Sequence, residues 1–98
     1  MKLAVGQKID IEVDREDLEL APVYRNIIAT WYNNGNPIYI ELEANKSMIK
    51  EIWKLFEGNE KRTELFSIYR ASQKKYMVEP TMVLLNGSSK GNDSGEED

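Results

Sequence analysis

The sequence predicts an α+β domain: a small antiparallel sheet with a helical hairpin packed on one face, in the order β-β-β-α-α-β, followed by a disordered acidic tail. Three observations carry this. Residues 8–13 alternate strictly between polar and apolar, with Ile9, Ile11 and Val13 on one side, as a half-buried strand does. Residues 37–43 alternate again, behind the turn-forming run Asn33, Asn34, Gly35, Asn36. After Glu43 the apolar period changes to that of a helix.

Asp14 opens an acidic link, Asp14-Arg15-Glu16-Asp17, and suits the cap of one helical turn before Pro22 restarts the chain. Two readings compete over residues 23–32. Val23, Tyr24, Ile27, Ile28 and Trp31 fit a helical stripe, whereas the β-branched and aromatic Ile27, Ile28, Thr30, Trp31 and Tyr32 suit a strand. The strand is favoured, because with 37–43 it closes a hairpin about Asn34-Gly35. Met48, Ile49, Ile52, Trp53, Leu55 and Phe56 then form one apolar stripe, with Lys46, Lys50, Lys54 and Glu57 opposite. Asn45 suits the N-cap of this helix and Gly58 its end. A second helix is expected from about Asn59, with Leu65, Ile68, Tyr69, Ser72 and Tyr76 inward and Lys74 and Lys75 in its last turn. A closing strand over 77–85 carries Pro80, which belongs at an edge or a bulge. From Asn86 onward no side chain is apolar. With nothing to offset the entropy of ordering, the reading is one domain over residues 1–86 and an acidic tail over 87–98.

Composition narrows the chemistry. The 98 residues contain no Cys and no His, which removes disulfides, thiolate catalysis, imidazole bases and the commonest zinc ligands. The glycines are scattered and match no phosphate-cradling pattern. Asp10, Glu12, Asp14, Glu16, Asp17 and Glu19 are dense enough to raise the question of a Mg²⁺-dependent nuclease. No strand-borne Glu-x-Lys pattern follows Ile38, and no calcium-loop spacing occurs, so these carboxylates read as a solvated strand face. The expectation is therefore a protein that is not an enzyme and uses no cofactor or metal. With no stretch resembling a signal-peptide core or a membrane span, a cytoplasmic location is expected.

The net charge of −4 is unevenly distributed. Residues 1–43 hold four Lys/Arg against eight Asp/Glu, while residues 44–78 hold eight against four. A basic helical half thus offers an anionic partner a surface that the total conceals. Single-stranded nucleic acid is the leading ligand. Lys46, Lys50, Lys54, Lys61, Arg62, Arg70, Lys74 and Lys75 would capture phosphate, and Tyr24, Tyr32, Tyr39 and Trp31 would stack bases on the helix-free sheet face. The acidic tail would compete for the basic face. The alternative is a protein-interaction module, an adaptor or inhibitor, that uses the exposed sheet face or an edge strand, or buries that face in a homodimer. Carboxylates beside the tyrosines weigh against phosphate on that face.

Overall fold

A computed structural model describes residues 1–81. Along the chain the elements are β1 (Lys8–Asp14), α1 (Arg15–Tyr24), β2 (Asn26–Asn33), β3 (Asn36–Glu43), α2 (Lys46–Phe56), β4 (Thr63–Arg70) and β5 (Tyr76–Pro80). The class is α+β. The five strands form one antiparallel sheet in the order β3-β2-β1-β4-β5, and the two helices pack on one of its faces.

The alternation in β1 does what its period implies. Ile9, Ile11 and Val13 are buried, and β1 lies at the centre of the sheet between β2 and β4. The hairpin expected at 24–32 and 37–43 is β2–β3, with Asn33 paired to Asn36 across Asn34 and Gly35. Both turn residues have positive φ, 54° and 84°, as a two-residue turn matched to the strand twist requires. Inward-facing Ile27, Ala29 and Leu42 meet Leu18 and Ala21 of α1 and Met48, Ile52 and Phe56 of α2 in one core.

Two assignments shift within that class. The acidic link is the start of a ten-residue helix, α1, which runs through Pro22 and ends when Arg25 turns left-handed (φ 59°) and its N–H reaches the Ala21 carbonyl. Leu18 and Ala21, both buried, hold it on the sheet. The helix expected from Asn59 is instead β4, a turn and the start of β5. Leu65, Ile68 and Tyr69 fit a helical stripe, but Phe66 and Ile68 also fit a strand, and the local pattern does not separate the two. Pairing decides: β4 lies against β1 over seven residue pairs, from Lys8–Tyr69 to Asp14–Thr63. Arg15 braces the loop between α2 and β4. Its side chain donates to the carbonyls of Phe56, Asn59 and Lys61 and stacks on the Phe56 ring at 4.9 Å. Of the strand expected over 77–85, β5 accounts for the part to Pro80. The remainder, and the expected acidic tail over 87–98, lie outside the described residues.

The sheet is curled. Glu43 N–H donates to the Met1 carbonyl, so residue 1 lies along the free edge of β3. Two residues later the Leu3 carbonyl accepts from Arg70 Nη1 at 2.6 Å, at the far end of β4. Two extended residues span at most ~7 Å. Sites three strands apart and at opposite strand ends therefore meet only because the twist brings them round. Leu3 fills the gap and is fully buried.

Arg70 is 8% exposed. Its Nε and Nη2 both donate to the Gln73 carbonyl, at 3.2 and 2.6 Å, and its guanidinium lies 5.8 Å from the centre of the Tyr76 ring. Expected as a ligand residue, it is instead a tie between the N-terminal segment and the β4–β5 turn. Arg70→Ala leaves the Leu3 and Gln73 carbonyls without these donors and is expected to lower unfolding free energy by about 2–4 kcal/mol in urea titration. Arg70→Lys, which cannot reproduce the planar fork, is expected to recover less than half of that loss.

Candidate ligand-binding groove between the helices

Helix α2 carries the basic stripe. Asn45 caps it, accepting from Met48 N–H at 2.9 Å, while Asn45 Nδ2 donates to the Lys74 carbonyl at 3.1 Å. The second bond sets the β4–β5 turn, with Lys74 and Lys75, against the first turn of the helix. Because Met48, Ile52 and Phe56 point into the core, the residues one position further on, Ile49 and Trp53, flank it. Lys46, Lys50 and Lys54 follow at intervals of four along that flank.

On the other side α1 offers only Ala21, Pro22 and Arg25. Small residues there leave a groove of about 760 Å³ between the helices, lined by Ile49 and Trp53, by the cations Arg25, Lys46, Lys50 and Lys54, and by one carboxylate, Glu57. Trp53 is only partly buried. It meets Phe56 edge-on, with ring centres 6.1 Å apart.

Lys54 pairs with Glu51 at 2.9 Å on the surface, a bond worth little in water. Among the described residues Arg25, Lys46, Lys50, Lys74 and Lys75 form no ion pair. The other expected cations lie elsewhere. Lys61 and Arg62, in the loop before β4, pair with Glu64 and Glu16 at 3.7 and 3.4 Å, and Arg70 is buried.

The expected aromatic platform is dispersed. Trp31 lies on the helix side of the sheet, packed against the core and opposite Ile11 and Ile38. Tyr24 is exposed at the end of α1, off the sheet. Only Tyr32 and Tyr39 reach the helix-free face, where β1 supplies Asp10, Glu12 and Asp14 and β3 supplies Glu41 and Glu43. Tyr39 is 86% exposed, and the Tyr32 hydroxyl donates to Glu12 Oε1 at 3.1 Å. Negative charge is crowded at the α1 end of this face. The Asp17 carboxyl is pushed above its usual range by burial first, then by the charges of Asp14 and Glu16. Among the described residues no acidic group is arranged to hold a metal ion.

Trp53 and Arg25 were missed by the sequence reading. Trp53 had a signal: it lies between Lys50 and Lys54 on a flank that the lysines share. Arg25 had none, since its place at the groove depends on the left-handed turn that ends α1. Among the described residues no helix is long and apolar enough to cross a membrane. Comparison of the chain with protein-family models, curated proteins and solved structures finds no match.

The Tyr32 hydroxyl is held above the usual tyrosine range by desolvation, then by its hydrogen bond to Glu12, the Glu12 charge and Tyr39. A pKa raised by folding contributes stability that is complete below the unfolded value near 10 and is lost as pH rises through the folded value. Alkaline titration followed by tyrosine absorbance is expected to show one late-ionising group. Glu12→Gln should bring it closer to the others, and stability should fall above pH ~10 by less in Tyr32→Phe than in the parent.

Proposed function

We propose that the protein is a non-enzymatic binding module that takes single-stranded nucleic acid in the groove between α1 and α2. The observation that carries this reading is the coincidence, in one groove, of Arg25, Lys46 and Lys50, without ion-pair partners among the described residues, and a part-exposed tryptophan. Cations that track a backbone, with an aromatic ring for the bases, are what sequence-tolerant single-strand binding needs. Lysines four apart on a helix rise about 6 Å per step, a spacing that suits successive phosphates of an extended strand. Lys74 and Lys75 prolong the track past the first turn of α2. Stacking falls to Trp53 in place of the tyrosines, because phosphate is repelled where the tyrosines sit.

A protein-interaction role is the second reading, favoured by the exposure of Tyr39 on β3, an edge strand of the sheet. A partner or a second copy on that face would leave the groove empty and its titration flat.

In a Trp31→Phe background, a short oligothymidine is expected to quench Trp53 emission. Affinity should fall with salt at a log–log slope of roughly −3, from about −0.7 for each of some four neutralised phosphates. Lys50→Ala should flatten that slope by about 0.7. Trp53→Leu should weaken binding roughly 5- to 150-fold, from the ~1–3 kcal/mol of one stacked base, with the slope unchanged. No quenching at low salt would overturn the proposal.

A further inference from the structure

We propose that Glu57 makes the groove between α1 and α2 selective for guanine at the position stacked on Trp53. The inference deepens the reading of that groove as a single-strand site and rests on it. Two rows of side chains run along α2 at intervals of four residues. Lys46, Lys50 and Lys54 form one, Ile49, Trp53 and Glu57 form the other, and all of them line the groove. A nucleotide has the same division, with phosphate on one side and base on the other.

Glu57 follows the last residue of α2 yet keeps the line of the helix. Its N–H donates to the Trp53 carbonyl at 3.1 Å, and its φ of −66° is that of a helix. Its Cβ therefore lies one turn beyond that of Trp53, on the same flank. The residue is exposed. Helix stability does not account for a carboxylate here, because negative charge at a helix C-terminus opposes the dipole. Nor does ion pairing. Four cations share the groove, but among the described residues Glu57 pairs with none of them, and Lys54 turns to Glu51 instead.

Among the described residues lining the groove, the other side-chain acceptor is Asn45 Oδ1, and Met48 N–H already occupies it. A base on Trp53 thus meets an ionised carboxylate, whose two oxygens accept and cannot donate. The bases differ in what they present to it. Guanine alone places two donors side by side on its Watson–Crick edge, N1–H and the N2 amino group, and both can bond to one carboxylate. Adenine and cytosine set a ring-nitrogen acceptor beside their amino group, and thymine flanks its N3–H with two carbonyls. Each of these turns a lone pair toward Glu57. Paired bonds to an ionised acceptor are also the strong kind. The lysine row reads phosphate and stays indifferent to sequence, so selectivity is confined to one base.

The test titrates the full chain, at low salt, into fluorescein-labelled d(TTGTT), d(TTATT), d(TTTTT) and d(TTITT), whose central hypoxanthine lacks the N2 amino group, and reads anisotropy. The guanine strand is expected to bind roughly tenfold more tightly than the adenine and thymine strands, as one bidentate pair provides, with hypoxanthine between. In Glu57→Gln the guanine strand should weaken by about tenfold. Under the same substitution d(TTTTT) should tighten slightly, because a negative charge has left the groove. A variant that was merely damaged would weaken both. Guanine bound no better than adenine or thymine, or a guanine preference that survives Glu57→Gln, overturns the proposal and leaves the single-strand reading standing. Failure of every strand to bind overturns both. Free dGMP carries the base without the track and is expected to compete at least about tenfold less effectively than unlabelled d(TTGTT). Equal competition would assign the groove to a mononucleotide and overturn the proposal for a strand.

Discussion

A guanidinium removed from water must have its donors filled, and the way Arg70 fills them organises the molecule. Its partners are the backbone carbonyls of Leu3 and Gln73. One belongs to the segment that closes the gap in the curled sheet, the other to the turn that carries Lys74 and Lys75. The curl lets residues 1–3 run from β3 to the end of β4. Leu3 is thereby buried as part of the core, and the β4–β5 turn is held where Asn45 can hydrogen-bond to it. With the Asn45–Lys74 hydrogen bond, this tie sets the turn that carries Lys74 and Lys75 against the start of α2. Neutral side chains of similar volume would fill the space, but would not supply the three coplanar donations that Arg70 makes through Nε, Nη1 and Nη2.

Charge follows the layers of the fold. The sheet turns one face to the helices and the other to the carboxylates of β1 and β3, and the unpaired cations gather on the far side of the helices. The hydrophobic core lies between the lysines of α2 and the carboxylates of β1 and β3. That separation makes the net charge a poor guide to partners. An anion approaching α2 meets Lys46, Lys50 and Lys54, whereas one approaching α1, with Glu16, Asp17 and Glu19, or the open face of the sheet meets carboxylates.

Much of the fold was legible where a residue's neighbours in sequence are also those that decide its state. In β1, alternate residues face alternate sides. In the β2–β3 hairpin, Asn34 and Gly35 tolerate the left-handed turn. In α2, Asn45 and the 3.6-residue stripe act within one helix. The failures share a physical origin. Leu65, Phe66, Ile68 and Tyr69 satisfy both periods, and only the seven-residue ladder with β1, some fifty to sixty positions away, makes them a strand. Residues 15–24 form a helix through Pro22 because Leu18 and Ala21 find the sheet beneath them. The same divide runs through the site. The lysine spacing on α2 was readable as it stands, whereas the burial of Arg70, the inward turn of Trp31 and the approach of Arg25 to Trp53 each depend on packing.

The sequence by itself determined the class, the strand and helix periods, the absence of thiol and imidazole chemistry, and the division into acidic and basic halves. These are properties of composition and of spacing over a few residues. Only the tertiary structure decided which aromatic ring stands beside the cations and which cations are spent on carbonyls or carboxylates. Those outcomes rest on contacts between residues tens of positions apart, for which a single sequence carries no local signal.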